Sequence, residues 1–278
     1  MIINTLEISL KDLFSLFAIL CVEKKRKITR MASYSKACCE LPPVVSDYEK
    51  TGEMEKYDGL DIYTVGPKDA KKAVLVIYDI FGYHPNAYQF CDILAKSCKW
   101  RVIMPDLLHG DYATMELLGK GKELMAWLDR VGTLEVVTPD IQRSEKYLKE
   151  AGVDACTLVG FCWGAKIAVQ LTSLNPFFVG ASLIHPSFVD VKDAEKAGAP
   201  ILAIPSKDEP DMTEYMEVLY KKPFGKQCKH VRFDDMQHGF CAARGDYNDK
   251  LNAQRANEAI RLTADFYTEC FNAPASSL

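Results

Sequence analysis

A cysteine between two glycines is the most reactive feature of the stretch LVGFCWGAKIAV, residues 158–169. Gly160 and Gly164 flank Cys162 at a distance of two positions on either side. In a nucleophile elbow the central residue lies on a strained strand-to-helix turn, and small flanking residues let the backbone segments approach each other closely. The motif therefore predicts a nucleophilic thiol, and an inert buried cysteine in a tight turn is the alternative interpretation.

A thiol nucleophile needs a base to accept its proton, and the base needs a carboxylate to fix its tautomer. Asp208 follows the apolar segment PILAIPS, and His238 lies in the segment DDMQHGF further along the chain. The order nucleophile, acid, histidine is the one that α/β-hydrolases use. We therefore predict a triad of Cys162, Asp208 and His238, with Glu209 and Asp211 as possible replacements for the acid.

The elbow also predicts where an oxyanion would be stabilised. The backbone N–H of Trp163 is expected to donate to it, with a second donor from the loop Asp79–Gly82, where we expect the amide of Ile80. Four further side chains are expected to line or shape the cleft: Tyr83, His84, Trp163 and His185.

The chemistry-bearing residues follow short apolar runs that alternate with helical patterns, which indicates βαβ units around a mainly parallel sheet with helices on both faces. The expected strands are Leu60–Val65, Ala73–Tyr78, Arg101–Met104, Ala155–Val159, Val179–Ile184, Ile201–Ile204 and His230–Phe233. The expected helices are Ala87–Lys96, Met115–Asp129, Pro139–Glu150, Ala165–Ser173, Thr213–Lys221 and Leu251–Phe271. Ligands of such sheets bind beyond the carboxyl ends of the strands, where the predicted triad lies.

Amino-acid composition indicates the number of domains and excludes some kinds of partner. The 278 residues are 48% hydrophobic with a formal net charge of −4, so one core is expected, and the basic stripe of a nucleic-acid binder is missing. The ten cysteines form no C-x-x-C pair, which favours a reducing, cytoplasmic location. The pattern predicts no metal or cofactor, and a monomer or homodimer.

The first thirty residues are set apart from one domain predicted over residues 31–278. The apolar run Leu13–Val22 is ten residues long, whereas a bilayer-spanning helix needs about 20, so stable membrane insertion is not expected. The basic residues follow this run, which is also unlike a secretory signal. The segment is either a loosely attached amphipathic helix or an upstream extension with Met31 as the functional start.

Four segments carry a resemblance to a known family: GFCWGA around Cys162, SKDE around Asp208, MQHGF around His238, and YDIFG at residues 78–82. Over roughly residues 52–271 the chain resembles the dienelactone hydrolase (carboxymethylenebutenolidase) family in its fungal-like branch. The resemblance implies an α/β-hydrolase fold and a Cys-His-Asp triad that opens lactones or small esters through an acyl-thiol intermediate. The implied partner is a small-molecule lactone or ester.

Two positions depart from the family pattern. Asp79 stands where the family usually has a glutamate that interacts with the thiol, and it is one methylene shorter. Bacterial members hold a substrate carboxylate with arginines, one of them a few residues after the histidine. Arg244 follows His238 by six residues, so it is either such an anion anchor or an exposed loop arginine.

Two other functions remain open at this stage. A glycan hydrolase of the same fold would use two carboxylates, such as Asp79 and Asp208, and would leave Cys162 idle. A non-catalytic ligand-binding protein of this fold is the other alternative, although its usual sign is a broken triad.

Overall fold

One eight-stranded, mostly parallel sheet forms the centre of the fold. The structure is a computed structural model that describes residues 40–273. The strands are β1 (Glu53–Tyr57), β2 (Leu60–Val65), β3 (Lys72–Ile77), β4 (Arg101–Pro105), β5 (Ala155–Phe161), β6 (Phe178–Ile184), β7 (Ile201–Ile204) and β8 (Lys229–His230). Their order is β1-β2-β4-β3-β5-β6-β7-β8. The β1–β2 and β2–β4 pairs are antiparallel, and the pairs from β4 to β8 are parallel.

The central strands are apolar and buried on both faces. Every residue of β4 and β7 is buried, and so is all of β3, β5 and β6 apart from a partly exposed residue near the start of each. A strand covered on both faces must be apolar along its length, which explains the unbroken runs in the sequence. Edge strand β1, in contrast, is partly or fully exposed throughout.

Seven α-helices accompany the strands in the described part of the chain. They are α1 (Pro85–Cys98), α2 (Gly121–Val131), α3 (Leu134–Glu150), α4 (Trp163–Thr172), α5 (Val191–Lys196), α6 (Thr213–Tyr220) and α7 (Lys250–Asn272). Local capping fixes several of their ends. In α5, for example, the Asp190 side chain and Asp193 form a capping box, which stabilises a helix of only six residues.

The predicted fold class is confirmed, with differences at particular elements. Strand β1 and helix α5 were not predicted, because β1 is a polar edge strand and α5 is too short for a periodic pattern. Helix α2 begins at Gly121 instead of Met115, since Gly119 has a φ of 78° that interrupts a helix. Helix α3 begins at Leu134 because Thr133 caps it, and Pro139 is tolerated inside.

The predicted extension over residues 1–30 lies outside the described residues. Within residues 40–273, no helix combines the length and the apolar character needed to cross a bilayer.

Candidate active site

The predicted elbow is present between β5 and α4. Cys162 has φ 54° and ψ −114°, a conformation in the left-handed half of the map that costs a non-glycine residue about 1–3 kcal/mol. A Cβ on Gly160 would collide with the Gly164 carbonyl, and a Cβ on Gly164 would collide with the Ile77 carbonyl of β3. The two glycines therefore allow α4 to lie close against the sheet behind the cysteine.

His238 lies in the loop after β8 and has no exposed surface. Its ring Nδ1 is 2.6 Å from Oε1 of Glu209. Asp208 instead accepts a 2.8 Å hydrogen bond from the backbone N–H of His238 through Oδ2. The prediction that Asp208 orients the imidazole is therefore corrected: Glu209 holds the ring, and Asp208 holds the loop that carries it.

The turn after β7 explains why Glu209, and not Asp208, contacts the imidazole of His238. β7 ends at Ile204, and the backbone N–H of Ser206 donates to the second carboxylate oxygen of Glu209. With this bond the longer glutamate side chain lies inward, and its Oε1 contacts Nδ1 of His238. Asp211, the other replacement considered, is exposed and bonds Thr213. The signal that sequence reasoning missed is side-chain reach, because glutamate extends one methylene further than aspartate.

The imidazole of His238 lies in a strongly negative local environment. Burial alone would lower its pKa, but the interactions with Cys162 and with Glu209 oppose this effect. Together they raise the pKa of His238 to about 9. Nδ1 of His238 therefore contacts Glu209, and the ring is close enough to Cys162 that a protonated imidazole is favoured when the sulfur is negative.

The loop after β3 faces the elbow and contains the second predicted oxyanion donor. Asp79 is 1% exposed, and its carboxylate accepts hydrogen bonds from the amides of Phe81 (2.9 Å) and Ala243 (3.2 Å). It thus joins this loop to the chain just after His238. On the other side, Trp163 is the first residue of α4, where backbone N–H groups have no intrahelical partner. The oxyanion role of Trp163 and Ile80 and the thiol-modulating role of Asp79 stay predictions.

Trp163 and Tyr83, both expected in the cleft, make hydrogen bonds elsewhere. The indole Nε1 of Trp163 donates to the Gly132 carbonyl at 2.7 Å. The Tyr83 hydroxyl lies 2.9 Å from the Met104 carbonyl oxygen. These two rings therefore support the fold around the site.

His84 is a helix cap rather than a cleft residue. Its Nδ1 accepts from the backbone N–H of Asn86 at the start of α1, and its Nε2 lies 3.0 Å from the Val44 carbonyl oxygen. These contacts tie the segment before β1 to the loop after β3.

Arg244 is buried, with 2% of its surface exposed, so the interpretation as an exposed loop arginine is wrong. Its guanidinium lies over the Phe81 ring, 4.7 Å from the centroid, and its Nε donates to the Leu41 carbonyl at 2.7 Å. A buried cation therefore stands beside the loop that contains Ile80.

The site is closed in this conformation. Cys162, His185 and His238 have no exposed surface. The His185 ring is edge-on to His238, with 5.1 Å between the centroids and 71° between the planes. Access to the Cys162 sulfur therefore requires a movement of the side chains or backbone around it.

Comparison with known proteins identifies relatives of this chain and solved structures of similar fold. A protein of the AIM2 family from Schizosaccharomyces pombe, itself uncharacterized, is 26% identical over 84% of this chain and 99% of its own length. Dienlactone hydrolase 1 of Gibberella moniliformis is 26% identical over 70% of this chain and 78% of its own. A solved structure of a proposed dienelactone hydrolase from Klebsiella pneumoniae superposes with a TM-score of 0.62 at 21% identity, over 78% of this chain and 98% of that chain.

The family model for the dienelactone hydrolase family matches residues 60–271, from β2 to the end of α7. This span contains the elbow, the turn after β7 and the histidine loop. The chain therefore belongs to the dienelactone hydrolase family of hydrolases.

Proposed function

We propose that this hydrolase cleaves lactones or small activated esters through an acyl-thiol intermediate on Cys162. One observation carries the proposal: Cys162 lies on a strained elbow near enough to His238 for its charge to raise the pKa of that ring, and Nδ1 of His238 is 2.6 Å from Glu209. This arrangement has the parts of a nucleophile, a proton carrier and an orienting carboxylate.

In the first half-reaction the Cys162 thiolate adds to the substrate carbonyl carbon. The negative charge moves to the carbonyl oxygen, where the amides of Trp163 and Ile80 donate hydrogen bonds. The tetrahedral adduct then collapses, and the protonated His238 gives its proton to the departing alkoxide as the carbon–oxygen bond breaks. A thiolate expels an activated leaving group, such as an enol oxygen, more readily than an amine.

Acylation changes the role of the histidine. A thioester sulfur is uncharged, so the negative charge of Cys162 that raised the pKa of His238 is gone. The neutral ring, still fixed by Glu209, then removes a proton from water as the water oxygen attacks the thioester. The carbon–sulfur bond breaks, and the proton returns to the sulfur side of the pair.

The pH dependence should differ between two kinds of leaving group. Because His238 has a raised pKa of about 9, its proton is present below that pH and is lost as the pH rises through it. For an alkyl ester or saturated lactone, which needs this proton, kcat/KM should fall above pH about 9. For p-nitrophenyl acetate, whose leaving group departs unprotonated, kcat/KM should not fall there. A fall of equal size for both substrates, in parallel profiles, would contradict proton donation by His238.

The direct test of the intermediate is intact-protein mass measurement after rapid mixing with p-nitrophenyl acetate and with a panel of lactones. An acyl adduct that maps to Cys162 and disappears on the time scale of turnover supports the proposal. Turnover without any adduct on this residue, under conditions that trap thioesters, would overturn it.

Arg244 points to anionic substrates within this class. Its buried guanidinium stands beside the loop that contains Ile80, so a substrate carboxylate could pair with it next to this loop. With Arg244→Gln, we expect KM for the carboxylated ester mono-p-nitrophenyl succinate to rise about tenfold or more. KM for the neutral p-nitrophenyl acetate should change little, and Arg244→Lys should restore part of the difference. Equal changes for both esters would show that the arginine only supports the fold.

The glycan-hydrolase alternative is less well supported by the contacts of its two carboxylates. Both oxygens of Asp79 accept backbone amides, and Asp208 accepts the backbone N–H of His238. Carboxylates with these contacts stabilise loops. The acyl-thiol mechanism also gives Cys162 a role, whereas a glycan hydrolase would not use it.

A further inference from the structure

His185 is a second buried imidazole at the reaction centre, and the proposed proton transfers do not use it. It follows β6 with a φ of 38°, and its backbone N–H donates to the Ile204 carbonyl at 2.8 Å. Its ring stacks on Phe161 at a centroid distance of 5.5 Å and is edge-on to His238 at 5.1 Å. Ring packing therefore fixes the orientation of the imidazole, and its two nitrogens take no part in that packing.

Both ring nitrogens of His185 lack a hydrogen-bond partner among the side chains and backbone of residues 40–273. The ring stays neutral, because burial lowers its pKa well below the usual value and the charges of His238 and Arg244 lower it further. A neutral imidazole has one N–H donor and one acceptor nitrogen. Polar atoms buried without a partner cost stability, and a phenylalanine would stack on Phe161 without that cost.

The segment that holds His185 is joined directly to the nucleophile. The backbone N–H of Ser187 donates to the Cys162 carbonyl at 2.9 Å, and Phe188 has a second positive φ of 64°. The backbone is therefore strained at two non-glycine residues within four positions, which is common where a side chain is held for function. The strain and the two unpartnered nitrogens occur at one point, beside the catalytic histidine.

We propose that His185 positions the water molecule that hydrolyses the acyl-thiol, an inference that rests on the function proposed above. Water both donates and accepts hydrogen bonds, so it can bond to whichever nitrogen of the neutral ring faces it, the N–H or the acceptor, whereas a carbonyl oxygen can only accept. One proton of the water moves to His238 as the oxygen–carbon bond forms and the carbon–sulfur bond breaks. His185 binds the same water, gains or loses no proton, and restricts its orientation for attack.

The test separates acylation from deacylation with p-nitrophenyl acetate. His185→Phe keeps the stacking and removes both nitrogens, while His185→Gln keeps one donor and one acceptor. We expect His185→Phe to show a burst of p-nitrophenolate at the wild-type rate, followed by steady-state turnover that is about tenfold slower, with acyl-Cys162 accumulating. Hydroxylamine attacks thioesters without a general base, so it should restore turnover. His185→Gln should recover part of the steady-state rate.

The possible outcomes separate the two proposals. If wild type forms an acyl adduct and His185→Phe deacylates at the wild-type rate, the water-positioning role is overturned and the proposed function stands. If both variants lose the burst together with turnover, His185 supports the elbow structurally and the role is again overturned. If wild type forms no adduct on Cys162, the proposed function itself fails.

Discussion

Cys162→Ala is expected to lower kcat/KM for lactones and activated esters by about 10⁴-fold or more, because removing a nucleophile that acts as part of a unit removes the covalent route altogether. The substitution leaves the elbow glycines and the His238–Glu209 pair in place. Initial rates with p-nitrophenyl acetate and with an enol lactone, corrected for the uncatalysed reaction, measure the effect.

The matched control is Cys156→Ala, in the strand β5 that leads into the elbow. Cys156 is also fully buried, and burial raises the pKa of its thiol, so it is unsuited to nucleophilic attack. Its replacement should change kcat/KM by less than about threefold, although it can cost some stability through the lost volume. Comparable losses in the two variants, or near-normal turnover by Cys162→Ala, would mean that the elbow cysteine is not the nucleophile.

Glu209→Gln is expected to lower kcat/KM by up to about 10⁴-fold, the loss in kcat seen when the carboxylate of a triad becomes an amide. A glutamine would donate its N–H to Nδ1 of His238 and thereby place the ring proton on the side of Cys162 in the neutral state. Asp208→Asn should lose less than about tenfold, because Asp208 accepts only the backbone N–H of His238.

Steady-state kinetics of the two variants, together with their melting temperatures, decides between the acids. We expect Glu209→Gln to remain folded and poorly active, and Asp208→Asn to remain active with a modest loss of stability. The reverse pattern, with the larger catalytic loss at Asp208, would restore the acid that the strand-end position suggested.

The sequence predicts those features of the fold that depend on local pattern. Unbroken apolar runs place β3, β5, β6 and β7, and the glycine spacing around Cys162 identifies the elbow. The loop that carries His238 is likewise visible, because it follows the last strand pattern. Each of these features is defined by residues close together in the sequence, so no tertiary contact is needed to recognise it.

The remaining differences depend on contacts between distant segments. The choice between Asp208 and Glu209 is made by a bond from Ser206, which turns one side chain toward His238. The burial of Arg244 depends on Leu41 and Phe81, which lie far from it in the sequence. Neither propensity nor periodicity predicts which way a side chain turns. The sequence alone therefore does not decide between Asp208 and Glu209, or between an exposed and a buried Arg244.

The strained backbone at Cys162 has an evolutionary consequence. Glycine adopts a φ of 54° and a ψ of −114° without this penalty, so a cysteine at position 162 carries a cost in stability. A lineage released from selection for turnover would gain stability by exchanging this cysteine for glycine. A cysteine retained there in related chains would therefore indicate continuing use of the thiol.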